Sequence, residues 1–179
     1  MSEDRFEEFF KTQCDDTWKD TERGEITHPY VYLSHPSLEH PEIPNAYENT
    51  LASLLLPKSL WRSMTATLVR DLNAEMYVVV TEMWVSNDIE AHKLGLHASD
   101  DPKAMEAVFV FGYHKDGREK TDYRFVDKQR KLHPEIRPFP PEEYVYMPIG
   151  NVFYPERDKQ RQEAVWKMAK AFMVGGKAK

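Results

Sequence analysis

Residues 76–86, MYVVVTEMWVS, constrain this chain more than any other stretch. As a strand they place Tyr77, Val79, Met83 and Val85 on one face and Met76, Val78, Val80 and Trp84 on the other, because successive side chains alternate. A strand apolar on both faces belongs in the middle of a sheet, covered by other elements. The single acid in this run, Glu82, is therefore conspicuous. A buried carboxylate must be paired, hydrogen-bonded or protonated.

The neighbouring segments supply partners for such a strand. Residues 106–126 read as a β-hairpin around Asp116-Gly117, the favoured two-residue turn. That turn would pair Val110 with Tyr123 and Val108 with Phe125. It would also set Phe109, Phe111 and Tyr113 opposite Arg124, Asp122 and Lys120. Near the N-terminus, Phe6, Phe9, Phe10, Cys14 and Trp18 recur at helical spacing, with Ser2 as an N-cap and Gly24 as a stop. Residues 26–45 carry three His-Pro dipeptides, which favour an extended loop or edge strand bearing Tyr30 and Tyr32. Asn45 and Glu48 have the spacing of a capping box, and Tyr47, Leu51, Leu54 and Leu55 would give the helix they open an apolar face. Beyond Pro57, Ser59 would cap a second helical pattern of Leu60, Trp61, Met64, Leu68 and Leu72. Residues 87–104 form a polar connection with one helical turn near 89–93. Tyr144 to Met147 would add an edge strand within a Pro-rich stretch. Pro155 would open a last helix with Val165, Met168, Ala169 and Phe172 on its apolar side.

The whole reads as a single α+β domain spanning residues 1–179. It predicts a small antiparallel sheet, a meander of three to four strands, packed with amphipathic helices on one face. Residues 1–23 form an N-terminal helical arm and 175–179 a loose tail. The rings of that arm would dock either on the chain's own core or on another protein.

The segment from Tyr77 to Gly117 resembles a small family of uncharacterised bacterial and phage-borne proteins. The residues that carry the likeness are Thr81-Glu82-Met83-Trp84, Ser99-Asp100-Asp101-Pro102, Glu106-Ala107-Val108 and the turn Asp116-Gly117. Ala98 and Asp100 stand where that family has Pro and Glu. The resemblance covers about a quarter of the chain. It implies an intracellular protein of a bacterium, or of its phage in the host cytoplasm, and implies no particular activity.

Function classes narrow mainly by exclusion. The net charge of −6 argues against nucleic acid as a partner, whose binding face would be basic. The basic run from Arg118 to Lys131 is diluted by Glu119, Asp122 and Asp127. One cysteine, Cys14, forbids an intrachain disulfide and fits a reducing compartment such as the cytoplasm. Acids beside it would keep its thiol unreactive. No apolar run approaches the length of a membrane span. P-loop, G-x-G-x-x-G and G-x-S-x-G patterns are lacking, so neither a cofactor nor a serine nucleophile is expected. His35, Glu39 and His40 miss a zinc spacing by one residue, and His92 and His97 are five apart rather than four, so no metal is expected either.

Three readings follow. One is a non-enzymatic interaction module that binds a protein partner, or itself, through Phe6, Phe9, Phe10, Trp18, Tyr30 and Tyr32; a phage virion or assembly component is a separate alternative that composition does not distinguish from it. The third is a small metal-dependent hydrolase or nuclease using Glu82 and Asp122, with Arg124 beside them. In the first reading Arg124 simply neutralises Glu82 across neighbouring strands.

Overall fold

A computed structural model of the chain describes residues 4–24, 29–43, 46–85, 102, 104–127, 129, 131–132 and 149–160. Its elements are, in order, α1 (Arg5–Glu22), β1 (Tyr30–Pro36), β2 (Tyr47–Ser53), α2 (Lys58–Asp71), β3 (Met76–Val85), β4 (Met105–His114) and β5 (Glu119–Val126). Residues 155–160 are helical as well. The connection at 87–104, the strand expected at 144–147 and the later part of the last helix fall largely or wholly outside the described residues.

The five strands form one antiparallel sheet in the order β2-β1-β3-β4-β5, so it holds more strands than the meander expected from sequence. β3 is central, paired to β1 on one side and β4 on the other. Both of its faces are covered. α2 packs Trp61 and Val69 on a core with Val31, Leu33, Tyr77, Val79, Phe109, Phe111 and Phe125. α1 packs Phe6, Phe9, Phe10, Cys14 and Trp18 on Met76, Val78, Val80, Val108, Val110 and Val126. Helices on one face alone would have left one of these two apolar sets in water, at roughly 1.5–3 kcal/mol for each large side chain.

The helix ends follow local chemistry. Asp4, not Ser2, caps α1, its carboxylate accepting from the Phe6 N–H at 2.9 Å. Gly24, with φ of 72°, closes the other end beyond Arg23. α2 begins at Lys58 behind Pro57, so Ser59 lies inside its first turn rather than at its cap. It ends in a Schellman motif: Asn73 takes φ of 52°, its N–H reaches Arg70 and the Ala74 N–H reaches the Val69 carbonyl.

Further sequence expectations change. The helix expected from Tyr47 is strand β2, paired along its length with β1, which is thereby an interior strand rather than an edge. The β4–β5 register is also shifted by one. Its loop has three residues, Lys115 to Gly117, with Gly117 at φ of 96° and the His114 N–H bonded to the Arg118 carbonyl. Val110 therefore faces Asp122, Phe109 faces Tyr123 and Ala107 faces Phe125. A one-residue shift sends every β5 side chain to the opposite face. Rings gather under α2, while Lys120, Asp122 and Arg124 turn toward α1. There Lys120 pairs with Glu7, Arg118 pairs with Asp4, and the Arg124 guanidinium lies 5.2 Å from the Trp18 ring centre.

Gly112 lies on the α1 face of β4, directly beneath Phe10. A Cβ built there would lie 2.5 Å from Phe10 Cδ2. Gly112→Ala is expected to destabilise the protein by about 1–3 kcal/mol in urea unfolding, because the helix must lift or the ring must leave its rotamer. Repeating the change on a Phe10→Leu background should shrink the loss. An alanine variant as stable as the parent chain would mean that α1 does not press on β4.

Candidate functional site

Three places in the fold concentrate chemistry: the α1 face around Glu82, a polar clamp at residues 149–158, and the outer side of β2.

On the α1 face the expected acidic pair is not assembled. Glu82 faces Val108, Val108 in turn faces Arg124, and Asp122 faces Val110. β4 thus lies between the two carboxylates, whose Cα atoms are about 12 Å apart from strand spacing and rise. Because β3 and β5 are not neighbours, Arg124 is not the adjacent-strand cation that the sequence suggested for Glu82. It is exposed and stacked on Trp18 instead. Glu82 is half-buried, past Val80, the last β3 residue of the core beneath α1. Among the described residues no group of three or more His, Cys, Asp and Glu is placed to hold a metal ion. His35 is a buried histidine with both ring nitrogens occupied, Nε2 at 2.8 Å from Thr50 Oγ1 and Nδ1 at 3.2 Å from the Pro36 carbonyl. Glu39 and His40 are exposed in the β1–β2 loop, and His92 and His97 lie outside the described residues. Burial pushes the Cys14 thiol up to about 12, with Asp122 and Asp15 adding to it, so the thiolate is scarce at neutral pH.

The six candidate contact rings divide into two groups. Phe6, Phe9, Phe10 and Trp18 are buried between α1 and its own sheet. Tyr30 and Tyr32 are half-buried on β1 and meet edge to face at 5.1 Å. Burial raises both phenols, Tyr30 to about 12.

The clamp has no counterpart among the sequence candidates. The Tyr77 hydroxyl donates to the Gly150 carbonyl and accepts from the Val152 N–H, each at 2.8 Å. Asn151 is fully buried. Its Oδ1 accepts from the Phe153 and Tyr154 N–H groups and its Nδ2 donates to Glu119 at 2.6 Å. Asp158 accepts from the Asn151 N–H and pairs with Arg62 at 2.7 Å. Burial holds the Tyr77 phenol well above its ordinary range. With its hydroxyl both donating and accepting, Tyr77 uses its hydrogen-bonding capacity inside the molecule. The cluster fastens residues 149–158 across α2 and the sheet, and Asn151 four residues before Pro155 was its only local signal.

The outer side of β2 is different, because among the described residues no strand pairs with it and exposed apolar side chains border it. Leu51 on β2, Leu55 and Leu56 after it and Leu60 in α2 are all exposed, Leu55 to 71%. Leu38 and Ile43 are exposed in the loop before it. Among the described residues only Trp84 is a further large exposed hydrophobe. Hydrogen bonds from the Ser37 N–H to Ala46 and from the Leu54 N–H to Pro29 frame the β1–β2 ladder. Antiparallel alternation then turns the backbone groups of residues 48, 50 and 52 toward β1, and those of 47, 49, 51 and 53 outward. β2 carries no Lys, Arg or Pro, the residues that usually blunt an edge.

Comparison with known proteins finds no matching family model, no matching curated protein and no matching solved structure. Among the described residues no helix is long and apolar enough to cross a membrane.

One ionic cluster ties three of these elements together. Glu75, just before β3, accepts from Tyr47 of β2 at 2.6 Å, pairs with Lys115 of the β4–β5 loop, and lies 3.9 Å from Arg5 of α1. Burial tends to raise its carboxyl, but the Lys115 and Tyr47 hydrogen bonds and the nearby cations outweigh it and hold the pKa below the ordinary glutamate range. A lowered folded pKa gives stability that is present at neutral pH and is lost as pH falls through that value. Glu75→Gln should therefore cost about 1 kcal/mol at pH 7. The deficit should close on acidification to about pH 3, when the parent chain is itself protonated there. A deficit independent of pH in denaturant titrations would contradict this.

Proposed function

We propose that this chain is a non-enzymatic protein-binding module that accepts an extended partner segment along the outer side of β2. The observation that carries the reading is the outward-facing backbone of residues 47, 49, 51 and 53, bordered by exposed leucines. An open strand supplies main-chain hydrogen bonds for affinity, and neighbouring apolar side chains supply selectivity. Exposed apolar side chains beside an unpaired strand edge mark a place where another chain can add. The contact surface is thus leucine-rich and lies at β2, rather than being the ring-rich face of α1, whose phenylalanines are used inside the molecule. A cytoplasmic setting is part of the reading, supported by a single buried cysteine. The hydrolase reading has less to support it, since β4 stands between Glu82 and Asp122.

A displayed library of extended heptapeptides tests this directly. Selected peptides should shift the amide resonances of Asn49 and Leu51, and Leu51→Lys should weaken them at least about tenfold, or about 1.4 kcal/mol. Failure to select any binder, or binders that map elsewhere and ignore Leu51→Lys, would overturn the proposal.

A further inference from the structure

We infer that the segment received by β2 is β2 of a second copy of this chain, paired antiparallel about a two-fold axis near Thr50 and Leu51. The inference rests on the strand-accepting reading above and names its occupant.

Three features of the surface are self-complementary in that arrangement. The first is backbone direction. Residues 47, 49, 51 and 53 turn their N–H and C=O groups outward, so pairing Asn49 of one copy with Leu51 of the other satisfies both edges with the same residues. The second is charge. Glu48 is the only charged residue of β2, and its carboxylate already accepts from Ser37 in its own hairpin. A two-fold axis at Thr50 sets Glu48 opposite Ala52 of the second copy, so no like charges meet. The loop that enters β2 is acidic and exposed, with Glu39 and Glu42, whereas the segment that leaves it carries the exposed Lys58. Antiparallel pairing lays the acidic end of one copy beside the basic end of the other, twice. The third is the placement of apolar groups. Leu38 and Ile43 lie at the entering end of β2, and Leu55, Leu56 and Leu60 lie at the leaving end. The same pairing brings these two groups together across the contact, with Leu51 near the axis. Six exposed aliphatic side chains, the described large exposed hydrophobes other than Trp84, are thereby gathered at one interface. The contact is isologous and closes on itself as a dimer, joining two five-stranded sheets into one of ten strands.

The test uses the full chain in sedimentation velocity, with variants chosen to keep the β1–β2 ladder. Asn49→Pro removes an outward N–H and no bond to β1, and Leu51→Lys sets a charge near the axis. Either should raise the dimer dissociation constant at least about tenfold. Should Asn49→Pro fail to fold, Leu51→Lys reads the same contact. Orientation is read by charge exchange. Lys58→Glu alone and Glu39→Lys/Glu42→Lys alone should each weaken the dimer, and an equimolar mixture of the two should restore it as a heterodimer.

A dimer that ignores Asn49→Pro and Leu51→Lys, or a mixture that does not recover, overturns the inference. So does a chain that stays monomeric at about 100 μM, roughly a hundred-thousandfold above the dissociation constant of a firm nanomolar contact. In that case hydrogen exchange separates two failures. Rapid exchange at Asn49 and Leu51 leaves the edge open and the strand-accepting reading standing. Slow exchange at both means that the monomer covers β2 itself, and both proposals fall.

Discussion

The left-handed conformation of Gly117 decides on which side of the sheet every residue of β5 lies. With that glycine as the third loop residue, Tyr123 and Phe125 join Phe109 and Phe111 beneath α2. Lys120, Asp122 and Arg124 turn to the α1 face, where Glu7 and Trp18 engage Lys120 and Arg124. Had the loop been one residue shorter, the rings would have faced charges and α1 would have lost its cationic partners. The pairing of α1 with Lys120 and Arg124 and the gathering of rings beneath α2 both depend on this register. Arg157 holds the turn from outside, its guanidinium donating to the Gly117 carbonyl at 2.6 Å.

Polar contacts do the joining that hydrophobic burial leaves undirected. Apolar faces bring α1, α2 and the sheet together, but burial alone does not set their relative positions. Glu75 fixes α1, β2 and the β4–β5 loop to one another, and the Tyr77–Asn151–Asp158 clamp fixes residues 149–158 to α2 and the sheet. Both clusters are well satisfied, as buried polar groups must be. That satisfaction makes them structural, and among the described residues the outer side of β2, one of the two sheet edges, pairs with no other strand.

Much of the architecture was legible in the residues. The two-faced run at 76–86 gave the central strand, the ring spacing gave α1, and Asp116-Gly117 gave the hairpin. What escaped depended on distant partners. Tyr47, Leu51, Leu54 and Leu55 fit a helical period, and only pairing with β1 makes them a strand and its exit. A two-residue loop is the commoner turn for Asp-Gly, and only the gathering of rings on one face selects three residues instead. Tyr77 and Gly150 are 73 positions apart, so no local pattern announces their contact, and Asn151 before Pro155 signals only a turn. Glu82 was recognisable as an unusual acid, but its half-exposure follows from where the α1 core ends. At helical spacing Leu51 and Leu55 share one apolar face, so their exposure at β2 follows only from the strand pairing.

The sorting of rings to one face of the sheet and charges to the other rests on the β4–β5 register. Cross-strand Hα–Hα nuclear Overhauser contacts measure that register directly, since they are strongest between directly opposed residues of non-hydrogen-bonded pairs. Contacts between Phe109 and Tyr123 and between Phe111 and Thr121 are predicted. Contacts between Val110 and Tyr123 and between Gly112 and Thr121 would instead place β5 in the two-residue register and contradict the sorting of rings and charges described above.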